Sequence, residues 1–159
     1  MLRSLLMGLV AGQRGITPLA AIAVATQRGE VRANLPLQQL MLNPVVAAGT
    51  LAFAAAEMGG DKMKSAPDRT VPIGLAVRAI TSAYAGAAVA PRNQQVAGAA
   101  VAIGAALLSS YIGLRLRKAA IARYGQMSSG LVEDAIVMGS GMAIANPRLM
   151  GVRALTHQR

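Results

Sequence analysis

Long stretches without a charged residue constrain this chain more than any other feature of its sequence. Residues 33–56 are 24 consecutive residues with no charge, and residues 93–114 are 22 more. A helix needs about 20 predominantly apolar residues to cross a bilayer. A domain of 159 residues has too little interior to bury several helices that are apolar all round, so the pattern predicts a membrane protein. Two further apolar stretches are interrupted by one arginine each: 5–27 by Arg14 and 71–90 by Arg78.

Helix-terminus signals divide the chain into five segments. Ala, Leu and Met dominate and β-branched residues are sparse, so helix is the local preference throughout. The second helix is predicted to run from Asn43-Pro44 to Gly59-Gly60, and the third from Thr70, with Pro72 in its first turn, to Pro91. The fourth is predicted to run from Asn93 to Arg123, and the fifth from Ser128 or Ser129 to Asn146-Pro147. We predict an all-α polytopic membrane helix bundle of about five segments over residues 1–147, with a short interfacial piece at 35–42 and a basic tail at 148–159.

The net charge of +10 accompanies a mean hydropathy of +0.46, and most of the charge lies in the connections between apolar segments. A nucleic-acid binder would gather basic residues on one face with aromatic or polar readers, whereas this chain has three tyrosines and one phenylalanine. Nucleic acid is therefore not an expected partner. The expected partners are the bilayer and anionic lipid headgroups, which meet the basic run Arg115-Leu116-Arg117-Lys118 with Arg123.

Small residues four apart let helix backbones approach closely, and they indicate tight packing or a homo-oligomer. The pairs Ala100-x-x-x-Gly104 and Ser109-x-x-x-Gly113 have this spacing. The chain has no cysteine and one histidine, His157, so thiolate and histidine metal sites and histidine-activated nucleophiles are not expected. We expect no metal, no cofactor and no enzymatic activity.

The first apolar stretch contains an arginine between two helix breakers. Gly12 and Gly15 flank Gln13-Arg14, and Pro18 cannot donate a backbone hydrogen bond to the carbonyl of Arg14. We therefore predict a discontinuous helix that ends near Gly12 and starts again at Thr17. Free amides and a positive helix end beside an arginine suit an anionic group, as at the broken helices of secondary transporters. Arg14 and Thr17 are thus candidate substrate-binding residues; the alternative is a proline kink with Arg14 either snorkelling to the interface or paired to a carboxylate.

The second arginine and four carboxylates complete the candidate site. Arg78 is expected to face other helices, because a lipid-facing arginine there costs at least about 2.5 kcal/mol, and it is a third candidate for substrate binding. A carboxylate among apolar residues retains a proton more readily than one in water. Candidates for proton or ion coupling are Glu57, Asp61, Glu133 and Asp134.

Each carboxylate also has a structural interpretation. Glu57 is placed to form an ion pair with Arg78 between the second and third segments. Glu133 and Asp134 are expected near the start of the fifth helix, where the helix dipole favours anions. The same helix is expected to be weakened at Gly139-Ser140-Gly141.

These motifs together resemble a small bacterial inner-membrane family, domain-of-unknown-function family 4126, over roughly residues 8–146. The resemblance implies a multi-pass protein of the bacterial inner membrane and no established activity. Gln13 departs from the family's pattern, where a more apolar residue is expected. The matching motifs are Gly12-x-Arg14-x-x-x-Pro18, Glu57-x-x-x-Asp61-Lys62, Pro67-Asp68-Arg69-Thr70 followed by Arg78, and Leu131-Val132-Glu133-Asp134-Ala135.

Two functions fit this sequence. One is a small transporter or channel-like protein whose polar centre handles an anion or a lipid headgroup. The other is a non-transporting membrane scaffold or subunit, in which the charges inside the apolar segments are structural ion pairs. The two differ at Arg14, because the first requires this side chain to border a water-accessible cavity.

Overall fold

The computed structural model describes residues 1–31, 35–60 and 70–150, and within these ranges it is all-α with no strand. The prediction of an all-α fold is confirmed. The described ranges contain seven α-helices, and a 3-10 turn at Arg92–Gln94 precedes the sixth. The helices are α1 Leu2–Gln13, α2 Thr17–Gln27, α3 Gln38–Leu42, α4 Pro44–Gly60, α5 Pro72–Val89, α6 Gln95–Tyr124 and α7 Gln126–Ala145.

The first apolar stretch is a broken helix, as predicted. α1 ends at Gln13, Arg14 is extended (φ −138°, ψ 114°), and α2 begins at Thr17 with Pro18 in its first turn. Proline has no backbone N–H, so the carbonyl of Arg14 loses its ordinary helical donor and the chain restarts as a new helix.

The broken helix runs through the middle of the bundle. α1 packs against α5, α6 and α7, whereas α2 packs against α4, α5 and α7. α1 can approach α6 closely because Gly12 has no side chain. A Cβ atom at this position would lie 2.5 Å from the carbonyl oxygen of Ala106. Ser109 and Gly113 are buried in this contact, so the predicted close packing of that pair is confirmed, whereas Gly104 faces open space.

Several helix boundaries differ from the sequence prediction. The Asn43 side chain accepts a hydrogen bond from the Val45 amide (2.9 Å), as expected for a helix cap. Thr70 and Asn93 are not caps, because α5 follows Val71 and α6 follows the 3-10 turn. α7 begins earlier than expected, directly after Gly125, whose φ of +82° allows α6 and α7 to be joined by a single residue.

The predicted weakening of α7 at Gly139-Ser140-Gly141 is wrong, because the helix is continuous through these residues. Gly141 is buried and faces Thr17, Val10 and Ala21 of the broken helix. Gly141 therefore provides space for packing, and none of the three residues breaks the helix.

Two helical stretches are long and apolar enough to cross a membrane by length and composition, Pro72–Val89 and Arg92–Tyr124. Thr17–Gln27 and Pro44–Gly60 are apolar but shorter. The positions of the five predicted segments are thus observed as α1–α2, α4, α5, α6 and α7, and two of them have the dimensions of a complete span.

Candidate functional site

Arg14 is the most deeply buried charged residue of the broken helix, and its partner lies on α7. The residue is 1% exposed. Its Nε donates to Asp134 Oδ1 at 2.9 Å, and its Nη2 donates to the same oxygen at 2.5 Å. Asp134 is also buried. The pair compensates both charges away from water and fixes the break in α1–α2 against one point on α7.

The free amides of the break are bound by a carboxylate of the chain itself. Glu57, in the last turn of α4, accepts hydrogen bonds from the Gly15 amide at 2.7 Å and the Ile16 amide at 2.9 Å. The predicted preference of this helix start for an anionic group is therefore met by Glu57. Because the bonds use both carboxylate oxygens, the end of α4 is tied to the start of α2.

Arg78 and Thr17 lie at the same junction. Arg78 is buried in α5, as predicted, and its Nη2 is 4.0 Å from Glu57 Oε1, so the expected pairing of these two residues is present. Thr17 is fully buried, and its Oγ1 has no hydrogen-bond partner among the residues that the structure describes.

Glu133 and Asp134 occupy different environments although they are adjacent. Glu133 Oε2 accepts a hydrogen bond from Arg117 Nη1 of α6 at 3.0 Å. Both carboxylates lie about two turns inside α7, so the predicted position near the helix start is wrong and the helix dipole does not explain them. Asp61 lies outside the described residues, as do residues 151–159 of the predicted tail.

Two polar contacts at the break were not anticipated from the sequence. Ser110 Oγ of α6 donates to the Gly12 carbonyl at 3.2 Å, and Gln13 Nε2 donates to the Ser109 carbonyl at 3.0 Å. In a continuous helix the Gly12 carbonyl would accept a hydrogen bond from the Ile16 amide, but here that amide donates to Glu57. The serine therefore satisfies a carbonyl that the break exposes. A small-residue spacing was the only signal for this contact.

A cavity of about 600 Å³ separates the end of α6 from the start of α7. Its wall is almost entirely apolar, and it is lined mainly by residues 113–124 of α6 and 128–137 of α7, with Gln13 at one end and the Arg117–Glu133 pair on its side. We call it the α6–α7 cleft. A second cavity of about 160 Å³ lies beside Arg28 and Glu30. Arg14 lines neither of them.

The described residues contain no group of three His, Cys, Asp or Glu side chains able to hold a metal ion. No family model, no curated protein and no solved structure matches this chain. The proposed function below is therefore based on the geometry of the charged residues.

Proposed function

We propose that this chain is a multi-pass integral membrane protein, a scaffold or subunit of the bacterial inner membrane whose intramembrane ion pairs fix helix register. One observation carries the proposal: three charged side chains of the apolar segments, those of Arg14, Arg78 and Asp134, are buried while large apolar side chains face outward. Arg14 is 1% exposed, whereas Phe53 and Ile80 are each 71% exposed. A monomeric soluble protein arranges these residue types in the opposite way.

The outward apolar residues occur on every long helix and not at one patch. A single exposed patch would indicate a protein interface, but a band around the whole bundle is typical of contact with lipid hydrocarbon. Representative members are Val45 and Phe53 of α4, Ile73 and Ile80 of α5, Leu108 and Ile112 of α6, and Leu131 and Ile136 of α7.

The inward charges support a structural role. Arg14 is paired and buried and lines neither of the two cavities described above, and Glu57 occupies the amides that a bound anion would need. A buried ion pair adds little net stability compared with apolar residues of similar size, but it penalises every helix register that separates its members. Arg14–Asp134 would thereby hold α7 in register with the broken helix.

Single-cysteine labelling tests membrane residence, because the chain has no native cysteine. We expect Ile80→Cys and Ile136→Cys to resist a membrane-impermeant maleimide in open membrane fragments, and Arg148→Cys to react. All three variants should react after denaturation in SDS. Labelling of Ile80→Cys as fast as Arg148→Cys would contradict a lipid-facing α5.

Transport is the second candidate, and the partial exposure of Glu57 favours it. The Glu57 side chain is 24% exposed while it binds the break, so solvent reaches a carboxylate beside backbone amides. Broken helices of this kind form substrate sites in transporters, here for an anion or a lipid headgroup coupled to a proton.

Ile16→Cys separates the two candidates. The scaffold proposal expects this position to be protected from the impermeant maleimide, and proteoliposomes to show no uptake of radiolabelled phosphate, sulfate or chloride. Reaction of Ile16→Cys, together with an uptake that Glu57→Gln lowers, would replace the scaffold by a transporter.

A further inference from the structure

We infer that the α6–α7 cleft is a binding site for one anionic phospholipid, with an acyl chain in the cleft and the phosphate at the basic end of α6. The inference rests on the proposed membrane residence and names a specific lipid partner for it. Ligand cavities commonly enclose 300–1,000 Å³ and have apolar walls with a few placed polar groups. The α6–α7 cleft has this volume and this composition.

The wall of the cleft is apolar because residues four apart lie on the same face of a helix. On α6, Leu116, Ala120 and Tyr124 are four residues apart and lie on one face. On α7, Val132 and Ile136 have the same spacing and face them. From residue 113 to residue 124 the α6 wall is roughly 16 Å long at 1.5 Å per residue. Such a long, narrow and apolar space suits a hydrocarbon chain.

Charge complementarity indicates the headgroup. Residues 115–123 of α6 contain four cations and no carboxylate. Arg117 borders the cleft beside Glu133, and the guanidinium of Arg123 lies 5.6 Å from the ring centroid of Tyr124, which is itself a wall residue. The last turn of α6 therefore places an exposed arginine where a chain in the cleft would carry its phosphate.

The α6–α7 cleft is bounded at its two ends by other parts of the chain. Gly125 joins the two helices directly, and Gln13 of α1 lies at the opposite end, where its amide is bonded to the Ser109 carbonyl. A lipid in this position contacts three helices, whereas a bulk lipid contacts the outer surface of one or two.

Native mass spectrometry of the delipidated full chain tests the site. The probes are phosphatidylglycerol and phosphatidylcholine with identical acyl chains, so the two lipids differ only in headgroup. We expect one phosphatidylglycerol to be retained in preference to phosphatidylcholine, and Arg123→Gln to reduce this preference about fivefold, the effect typical of one basic residue at an anionic surface. The matched control Arg148→Gln should leave the preference unchanged.

Ala120→Phe and Ala119→Phe form a second matched pair, because Ala120 lines the cleft and the adjacent Ala119 is exposed elsewhere. We expect Ala120→Phe to abolish retention and Ala119→Phe to preserve it. Equal retention of the two lipids by the wild type would overturn the inference, as would retention by Ala120→Phe. If Ala120→Phe fails to fold, an unchanged preference in Arg123→Gln would overturn it instead.

Failure of the lipid site and failure of the proposed membrane residence give different experimental results. A chain that resists alkaline carbonate extraction and has a protected Ile80→Cys, yet retains both lipids equally, resides in the membrane without this site. A chain released by carbonate extraction contradicts the membrane proposal itself.

Discussion

Glu133 and Asp134 are adjacent in α7, yet they belong to two different regions of the molecule. Successive residues of an α-helix point about 100° apart, so the two carboxylates reach different neighbours. Asp134 faces the break in α1–α2 and binds Arg14, which lines neither cavity. Glu133 faces the α6–α7 cleft and binds Arg117 on its wall.

An ion pair inside an apolar segment can therefore have either of two structural roles. The pair at the break is buried and joins elements that are distant in sequence, whereas the pair at the cleft joins neighbouring helices beside a cavity. Substitutions at the break should therefore affect folding strongly, and substitutions at the cleft should affect it weakly.

The largest effect is expected from Arg14→Ala. Removal of one member of a buried pair leaves the other charge uncompensated, which typically costs about 3–5 kcal/mol. Unfolding of the detergent-solubilised protein by SDS titration, followed by far-UV circular dichroism, measures the loss. The double variant Arg14→Met with Asp134→Leu should recover most of it. A cost for Arg14→Ala no greater than that for Arg117→Ala would remove the distinction between the two regions.

Glu57→Ala is expected to follow, with a loss of about 2 kcal/mol, because two amides of the break lose their charged acceptor. Glu57→Gln retains one acceptor oxygen and should lose about half as much. The same SDS titration measures both variants. Equal stability of the alanine variant and the wild type would show that α2 starts at Thr17 without help from α4.

Gly12→Ala and Gly113→Ala compare the two regions by packing alone. A Cβ atom on Gly12 would meet the backbone of α6, which cannot move easily, so a cost of about 1–3 kcal/mol is expected. The three atoms nearest to a Cβ atom on Gly113 belong to the side chain of Gln13, which borders the cleft and can shift more easily than backbone. Thermal unfolding in lipid nanodiscs compares the pair, and a larger loss for Gly113→Ala would reverse the comparison.

A smaller effect than that of Arg14→Ala is expected from Arg117→Ala, because the Arg117 and Glu133 side chains are 8% and 20% exposed, against 1% and 11% for Arg14 and Asp134, and the remaining charge is less completely desolvated. A double-mutant cycle with Glu133→Ala measures the coupling between the two side chains. A coupling as large as that between Arg14 and Asp134 would mean that the cleft is as tightly constrained as the break.

Much of the fold was predictable because its signals are local. Gly12, Gly15 and Pro18 lie within seven residues, and a missing donor at Pro18 breaks a helix whatever surrounds it. Boundaries that lack such a signal were less accurate: α7 begins at Gln126 because Gly125 adopts a positive φ, and Ser128 and Ser129 lie inside the helix.

The candidate site was predictable as a set of residues but not as a set of partners. The rarity of charges in apolar segments identified Arg14, Glu57 and Arg78, since only a compensated charge is tolerated there. The assignment of Asp134 to Arg14 and of Glu133 to Arg117 depends on the rotation of α7 about its axis, which no local pattern in the sequence specifies.

By itself the sequence determined an all-α chain, the break at Arg14 and the residues that require compensation, because these follow from hydrogen-bond supply and from the cost of an unpaired charge. Only the tertiary structure decided that Glu57 fills the anion site of the break, that Arg14 is enclosed and that a cleft opens beside Glu133. Those outcomes depend on which helix faces meet, and contacts between residues more than 40 positions apart set the first two.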